Sequence, residues 1–351
     1  MRSNILLILN RGTIYQIMIK ILTYNEINPT AWQELVDSSP YATWFQTPEA
    51  YAFYASNPDE MTPFAYAVAE YSSSPYRLKA LCVGYVHKDK NWLWQRMTCR
   101  AIIIGGPVLA DDVSESEVEA MLMAVRKHIY PETIYIESRN FHDYSIWKSV
   151  FQKYGFQYQP HLNIQVACDA THSMSEQRQR QVKKAIKNGA TIVQATSEEE
   201  IKDWYKILHK LYRTKVRTPL FSEAFYLSFY RQKIGKYLLV KFENKVIGGM
   251  MCPVFAGNTI YEWYVCGMDE EYKDLYPSVM ATHAAIEYAK VQGITMLDFM
   301  GAGKPNVPYG VREFKMEFGG ELVEHGRFLC IRKPLLYMIG EWGVKWLKKF
   351  V

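Results

Sequence analysis

Two charged side chains near the end of the chain lie where the sequence is otherwise apolar or rich in glycine. Asp298 falls inside a short apolar strand predicted over 295–300, where an unpaired carboxylate is costly. Lys315 stands between Phe314 and Met316. The aspartate could act as a base or orient an amine, and the lysine could stabilise an oxyanion or a phosphate. The alternatives are a carboxylate satisfied by loop amides and a lysine that only covers apolar surface.

Glycines flank this lysine on both sides in the sequence. Gly301 and Gly303 follow the predicted strand, and the pair Gly319-Gly320 follows Lys315. Loops after strands commonly carry the chemistry of α/β proteins, and glycine lets a ligand approach the backbone closely. We therefore expect a substrate cleft beside Gly301 and Gly303. We also expect the fold to survive the replacement of Lys315, because a lysine flanked by glycines carries little core packing.

Three further residues are candidates for substrate binding. Arg217 could hold a phosphate through two parallel hydrogen bonds, and a surface arginine before Pro219 is an equal alternative. Tyr264 lies in a strand of closely spaced aromatic residues, one face of which could line a cleft. Arg312 begins the run that leads to Lys315, and we assign it to substrate binding with that run.

The elements that must position these residues occur twice along the chain. Each half reads as helices, antiparallel strands, a long helix and a further strand, which predicts an α/β (α+β) fold with mixed, mostly antiparallel sheets. Since 351 residues exceed the usual size of one core, we divide the chain into an N-terminal extension (1–17), a first domain (18–168), a second domain (169–332) and a C-terminal amphipathic helix (333–351). The predicted helices cover 31–36, 48–55, 116–128, 144–154, 176–188, 198–212, 222–232 and 278–292. The predicted strands cover 64–71, 80–86, 92–96, 101–104, 133–137, 156–166, 191–194, 237–243, 245–254, 259–267, 295–300 and 320–329.

The composition indicates a globular protein of a reducing compartment. Hydrophobic residues make up 49% of the chain and charged residues 22%, which excludes a disordered protein. The net charge of +5 favours anionic partners such as phosphate, nucleotide or RNA. The six cysteines show no CxxC spacing, and neither His209 nor His325 has a second ligand at metal spacing. We therefore predict buried thiols, no metal site and a cytoplasmic location.

The C-terminal helix combines tryptophan with lysine. Trp342 and Trp346 are interleaved with Lys345, Lys348 and Lys349. Such a helix could contact an anionic membrane surface, which would place the protein at the inner face of the membrane. The alternative is that the helix packs against the first domain.

The order of elements resembles the GNAT acyltransferase fold, and a tandem pair of such units resembles the FemAB family of aminoacyltransferases, which add amino acids to peptidoglycan precursors. The motifs that carry the resemblance are Phe45-Gln46-Thr47-Pro48, Arg180 with 183–189, Thr214 with Arg217 and Phe221, Leu297-Asp298-Phe299 with Gly301, and Phe314-Lys315 with Phe318-Gly319. The resemblance covers about Met18 to Lys333. It implies that Lys315, beside Phe314, takes part in the transfer step.

The sequence departs from the family pattern in two places. Family members that bind a UDP-linked muropeptide have a lysine in the helix after Phe-Gln-Ser, and 49–54 contains none here. The coiled-coil arm that some members insert in the second unit is also missing. The muropeptide acceptor that the resemblance implies is therefore put in doubt.

The loops that would hold a coenzyme A donor are poorly suited to it. GNAT enzymes bind the pyrophosphate of acyl-CoA on free amides at a helix N-terminus, next to a glycine-rich loop. The corresponding stretch 269–277 has no glycine and several acids, and 110–112 in the first unit is no better. We therefore expect aminoacyl-tRNA, the donor that the resemblance implies, and no cofactor. The basic run 178–187 could contact its phosphates.

The expected reaction is the transfer of an amino acid from aminoacyl-tRNA to an amino group of a nucleotide- or lipid-linked cell-wall precursor. Two alternatives stay open. One is an acyl-CoA-dependent N-acyltransferase acting on an amino sugar or an envelope polysaccharide precursor. The other is a non-catalytic module that binds a glycan precursor.

Overall fold

The computed structural model describes residues 6–7, 18–71, 76–88, 98–255 and 257–349. The strand predicted over 92–96 and most of the predicted extension 1–17 lie outside these residues. The chain divides into two compact units, the first of Met1–Pro160 with His325–Val351 and the second of His161–Glu324. The sequence placed the two domain boundaries later, after 168 and after 332.

The elements follow one another in chain order. The first unit contains β1 (Leu6–Leu7), β2 (Met18–Thr23), α1 (Pro29–Ser38), α2 (Pro48–Ala55), β3 (Met61–Glu70), β4 (Arg77–His87), β5 (Arg100–Gly105), β6 (Val108–Leu109), α3 (Glu115–His128), β7 (Tyr135–Asn140), α4 (Lys148–Lys153) and β8 (Gln157–Gln159). The second unit contains β9 (Leu162–Ala167), α5 (Glu176–Lys187), β10 (Thr191–Gln194), α6 (Glu198–Leu211), α7 (Glu223–Arg231), β11 (Gly235–Phe242), β12 (Lys245–Phe255), β13 (Thr259–Tyr261), β14 (Tyr264–Gly267), α8 (Pro277–Gln292), β15 (Met296–Asp298), α9 (Gly310–Met316) and β16 (Glu321–Glu324). The chain then returns to the first unit with β17 (Arg327–Ile331) and α10 (Pro334–Lys349).

The first unit is built on one mixed sheet in the order β1-β2-β3-β4-β5-β7-β17-β8, with β6 paired to β4. Its pairs are antiparallel except for β5 with β7. Helix α3 covers one face, where Met121 and Val125 join a buried cluster with Val68, Ile136 and Phe328. The opposite side chains of β7, which alternate with Ile136, are therefore directed away from this core.

The second unit has its own mixed sheet in the order β10-β11-β12-β13-β15-β9-β16, with β14 paired to β12. The pair β13–β15 is parallel, and the other pairs are antiparallel. The predicted strands 237–243 and 245–254 are β11 and β12, which form a hairpin. Its two turn residues, Glu243 and Asn244, both have positive φ, as a tight turn of this kind requires. Helix α8 packs Met280 and Ile286 into the core between sheet and helices.

Three predicted strands are each divided in two. The strand predicted over 156–166 is β8 and β9, which join different sheets on either side of Pro160. The strand predicted over 320–329 is β16 and β17, which also join different sheets, and Gly326 between them has a φ of +64°. The strand predicted over 259–267 is interrupted at 262–263. Alternation of side chains identifies a strand, but it does not say which sheet the strand joins.

Several simpler expectations can be compared with the structure. All six cysteines are buried and free, as predicted. Among the helices of the described residues, none is both long and apolar enough to cross a bilayer. Within the same residues, no three His, Cys, Asp or Glu side chains form a group that could hold a metal ion.

Candidate active site

Lys315 lies on helix α9 and its ammonium group is enclosed by three acceptors. The side chain forms an ion pair with Glu262, with 3.0 Å between Nζ and Oε1. It also donates hydrogen bonds of 2.9 Å to the carbonyl oxygen of Phe299 and 3.1 Å to that of Gly301. The residue is only 9% exposed. These contacts correct the expectation of a lysine with little role in the core, because its removal would leave a buried carboxyl without its cation.

The partner, Glu262, is the functional candidate that the sequence analysis missed. It occupies the interruption between β13 and β14, where its backbone N–H donates to the carbonyl oxygen of Asp298 at 2.9 Å. The residue is 6% exposed. Burial raises the pKa of its carboxyl, and the neighbouring Lys315 acts in the opposite direction. The signal in the sequence was an acidic residue between Tyr261 and Trp263. Its role could not be inferred from the sequence, because its partner, Lys315, lies far along the chain.

Asp298 ends β15 with its carboxylate fully engaged. Asn163 donates to both carboxylate oxygens at 2.8 and 2.9 Å, and Gln165 donates to one of them at 3.1 Å. The backbone N–H of Met300 adds a bond of 2.7 Å. The residue is 1% exposed. This arrangement fits the alternative of a strand-end carboxylate that fixes the following loop, and the role of a base stays a prediction.

The glycine loop after β15 is held by local contacts. Gly303 has a φ of +80°, and a Cβ atom there would lie 2.9 Å from Cδ1 of Tyr309, so a larger residue would be strained and crowded. Arg312 donates from Nε to the carbonyl oxygen of Ala302 at 2.8 Å and from Nη2 to that of Lys304. The candidate substrate ligand Arg312 therefore closes this loop on itself, which presents the carbonyl of Gly301 to Lys315.

Phe314 of α9 is half-buried, whereas the preceding Glu313 is exposed. Its ring packs against Phe318, with 5.4 Å between centroids, and lies 4.4 Å from the guanidinium carbon of Arg178. Arg178 is only 6% exposed and forms an ion pair with Glu317. The first residue of the basic run 178–187 thus anchors α9 rather than facing solvent.

Tyr264 and Arg217 each contact Tyr212. The ring of Tyr212 lies 6.1 Å from that of Tyr264. Burial, together with the proximity of Cys266, Glu262 and Tyr309, raises the pKa of Tyr212 to about 12. Arg217 follows the helical turn Tyr212–Val216 and donates its backbone N–H to the carbonyl oxygen of Tyr212 at 2.7 Å.

The side chain of Arg217 is exposed in an unusual backbone conformation. Its φ is +55°, which is uncommon for a residue other than glycine. Its Nε donates to the carbonyl oxygen of Thr214 at 3.1 Å. Because the residue lies in an exposed turn, its guanidinium group is open to solvent. The phosphate-binding role of Arg217 stays a prediction. The described contacts do not bring this arginine to Lys315.

The N-terminus of α8 is closed by an acid. The backbone N–H of Ser278 donates to Asp269 at 3.0 Å, and its hydroxyl donates to the same carboxylate. Pro277, at the first position of the helix, has no N–H to offer. A helix N-terminus attracts anions only while its amides are free. The carboxylate of Asp269 already takes that place here.

Comparisons with known proteins agree with this architecture. The model of the FemAB family matches residues 245–342. The structure of FemX, 13% identical, covers 89% of this chain and 98% of its own with a TM-score of 0.67. The structure of L-PGS from Bacillus licheniformis is 15% identical; the match covers 90% of this chain and 96% of that chain, with a TM-score of 0.55. A tandem GNAT protein from the clavulanic acid biosynthesis pathway is 8% identical; the match covers 89% of this chain and 98% of that chain, with a TM-score of 0.55. No curated protein matches the sequence.

These results define the class of the protein as a tandem GNAT fold, as the sequence predicted. The family match then confirms the resemblance to FemAB proteins over 245–342, and with it the acyltransferase class. Glu262, Asp298 and Lys315 all lie inside the matched segment.

Proposed function

We propose that this chain transfers an amino acid from aminoacyl-tRNA to an amino group of a nucleotide- or lipid-linked cell-wall precursor. The observation that carries the proposal is the buried ammonium of Lys315, held at the end of β15 within the segment that matches the FemAB family. A fixed cation beside a glycine loop can stabilise negative charge without rearranging solvent.

The chemistry needs little covalent help from the protein. A neutral amine of the acceptor attacks the ester carbonyl of the donor, so that a C–N bond forms and the acyl C–O bond breaks. The proton that the amine loses is taken up by the ribose oxygen, which leaves as a hydroxyl group. The intermediate carries its negative charge on the former carbonyl oxygen. All three N–H groups of Lys315 are in use, so one of them must exchange the carbonyl of Gly301 for this oxyanion. Glu262 keeps the ammonium in position during that exchange.

The closed N-terminus of α8 supports tRNA over coenzyme A as the donor. A pyrophosphate at this position would have to displace the carboxylate of Asp269 from Ser278 and would meet its negative charge. We therefore expect acetyl-CoA to bind weakly. A micromolar dissociation constant in a calorimetric titration would instead support the alternative of an acyl-CoA-dependent N-acyltransferase.

The proposal is tested by supplying both donors to the same acceptors. The purified protein is incubated with mixed aminoacyl-tRNA or with acetyl-CoA, and with nucleotide- and lipid-linked precursors that carry a free amine. We expect the product mass to increase by one amino-acid residue with the tRNA donor. An acetyl increment would support the CoA reading, and binding of a precursor without any product would support the non-catalytic module.

The C-terminal helix supports a contact with a membrane surface as part of the same function. Leu335, Met338, Ile339 and Trp342, spaced along one face of α10, are between 53% and 76% exposed. Apolar side chains at this spacing can enter the headgroup region of a bilayer, where a lipid-linked acceptor resides. We expect the protein to sediment with vesicles containing anionic lipid, and the double variant Leu335→Ser/Trp342→Ser to stay in the supernatant. Equal sedimentation of the wild type and the double variant would show that this face of α10 does not bind the membrane.

A further inference from the structure

Two buried carboxylates of the candidate active site, those of Asp298 and Glu262, differ in how far their oxygen atoms are engaged. Asp298 accepts hydrogen bonds of 2.7–3.1 Å from two side-chain amides and one backbone N–H. Among the described residues, the ion-pair partner of Glu262 is Lys315, whose Nζ lies 3.0 Å from Oε1. Two carboxylate oxygens offer about four acceptor positions in total. Glu262 therefore keeps the capacity to accept a proton from a further group.

The carboxylate of Glu262 is fixed from both sides. Its own backbone N–H donates to the carbonyl oxygen of Asp298 at 2.9 Å, which ties the residue to the end of β15. Its partner Lys315 is held in turn by the carbonyl oxygens of Phe299 and Gly301. A charged group that is already fixed in this way needs no rearrangement before it meets a substrate.

The surroundings of Glu262 suit a carboxyl that gains and loses a proton. Only 4% of its side chain is exposed, which limits exchange with bulk water. Burial raises the pKa of the carboxyl above 4.5, and the charge of Asp298 adds to this rise, although Lys315 and the hydroxyl of Thr282 act to lower it. An exposed carboxylate is a weak base at neutral pH, and burial makes it a stronger one.

The proposed reaction requires a proton to leave the attacking nitrogen. When a neutral amine adds to the ester carbonyl, the intermediate carries a positive charge on nitrogen and a negative charge on oxygen. A protonated nitrogen leaves more easily than the ribose oxygen, so the intermediate reverts unless the nitrogen loses its proton first. The ribose oxygen must gain a proton as the acyl C–O bond breaks. One group that serves both atoms would advance the reaction in both steps.

The charges in the buried site favour Glu262 as that group. Before the reaction, the ammonium of Lys315 is balanced by the carboxylate of Glu262. The oxyanion places a second negative charge beside the same ammonium. Once Glu262 has taken the proton from the nitrogen, the oxyanion replaces it as the anionic partner of Lys315. The site then again contains one cation and one anion, and no buried charge is left without a partner.

The distances allow such a transfer. The carboxylate oxygen lies 3.0 Å from Nζ of Lys315, and an oxyanion bonded to the same nitrogen would lie at about 3 Å from it. The attacking nitrogen and the oxyanion are bound to one carbon atom. The amine is therefore brought within one hydrogen bond of Glu262 by the same arrangement that brings the oxyanion to Lys315.

We propose that Glu262 is a catalytic residue that takes the proton from the attacking amine and returns it to the ribose oxygen of the leaving tRNA. This role rests on the proposed function, because it assigns a further residue to that reaction. In the first step the N–H bond breaks, its electron pair stays on nitrogen, and an O–H bond forms on Glu262. In the second step the acyl C–O bond breaks, its electron pair goes to the ribose oxygen, and that oxygen receives the proton. The carboxylate is regenerated, so no further reactant is consumed.

The first test compares Glu262→Gln with the wild type, using the donor and acceptor that the product assay establishes. Glutamine keeps an oxygen that can accept a hydrogen bond from Lys315, but it cannot carry the proton. We expect turnover to fall roughly 10²–10⁴-fold, the usual contribution of general acid–base catalysis, with little change in KM. Glu313→Gln is the matched control, because Glu313 is an exposed acid on the helix that carries Lys315. It should keep wild-type turnover.

The second test distinguishes a proton carrier from a residue that only balances the charge of Lys315. Glu262→Ala leaves space in which a small anion can bind. Formate is a carboxylate that can take up a proton, whereas nitrate has the same charge and a similar planar shape but is hardly basic. We expect formate to restore part of the turnover of Glu262→Ala and nitrate to restore none. If circular dichroism shows that Glu262→Ala does not fold, the comparison with Glu262→Gln decides.

The outcomes separate this role from the proposed function. Near-normal turnover of Glu262→Gln, an equal loss in Glu313→Gln, or equal rescue by formate and nitrate would overturn the role of Glu262 alone, since the wild type would still transfer the amino acid. A wild type that forms no product would overturn the proposed function, and the role of Glu262 with it.

Discussion

Replacement of Lys315 by methionine should affect both the stability of the fold and the proposed catalysis. Methionine fills much of the same volume but cannot form the ion pair with Glu262 or the bonds to the carbonyls of Phe299 and Gly301. Removing one partner of a buried ion pair typically costs about 3–5 kcal/mol. Loss of one group that stabilises transition-state charge lowers turnover by roughly 10²–10³-fold. The single variant should therefore show both defects.

The double variant Lys315→Met/Glu262→Gln distinguishes them. It removes the unpaired carboxylate that the single variant leaves in a site only 6% exposed. We expect it to recover most of the lost stability, as partners in contact commonly do in a double-mutant cycle, while its turnover stays low. Stability is measured by urea unfolding followed by circular dichroism, and turnover with the donor and acceptor established for the wild type. Near-normal turnover of either folded variant would refute the catalytic assignment. An unchanged unfolding midpoint in Lys315→Met would refute the buried ion pair.

The remaining predictions concern the loop, the exposed arginine and the acid of the first unit. Gly303→Val should abolish activity and lower the unfolding midpoint, because its Cβ would crowd Tyr309 at a φ of +80°; wild-type activity in a folded variant would remove the loop from the site. Arg217→Ala should mainly raise the acceptor KM in steady-state kinetics, since a phosphate ligand binds ground and transition states alike; a fall in kcat alone would contradict this. Burial acts to raise the pKa of Glu137, but its ion pairs with Arg139 and Arg327 lower that pKa from 4.5 to about 2. Glu137 therefore contributes stability that is present above pH 4.5 and lost as the pH falls towards 2, by roughly 3 kcal/mol in total. Urea unfolding at neutral pH and at about pH 3 should therefore show a smaller loss of stability on acidification for Glu137→Gln than for the wild type. An identical loss in both proteins would contradict the ion pairs of Glu137.

Local signals predicted most individual elements of this fold. Thr47 caps α2 through a bond to the backbone N–H of Ala50, and Pro48 begins that helix, as expected of these residue types. Ser197 and Glu200 form a capping box at the start of α6, as their spacing indicates. The break between β11 and β12 could also be predicted from the sequence, because the turn depends on two adjacent residues, Glu243 and Asn244. Such features are decided within a few residues, which a single sequence displays.

The parts that the sequence could not reveal depend on distant partners. Helix α9 is absent from the predicted helices, because its seven residues lie between glycines and prolines; contacts of its Phe314 with Arg178 and Phe318 hold it in place. The ion pair of Lys315 could not be predicted because its partner, Glu262, lies between β13 and β14, far from it in the sequence. Pairing across a sheet likewise brings Arg139 and Arg327 together although they are far apart in the sequence. Contacts of this kind are set by topology, which alternation and capping do not encode.

The position of a bound donor tests the central claim most directly. A crystal of the protein soaked with a stable 3′-aminoacyl-adenosine analogue, in which an amide replaces the ester, would show where the reacting carbonyl lies. The account predicts its oxygen within hydrogen-bond distance of Nζ of Lys315, at about 3 Å, with the carbonyl of Gly301 released from that nitrogen. An analogue bound elsewhere, with Lys315 still joined to Glu262, Phe299 and Gly301, would contradict it.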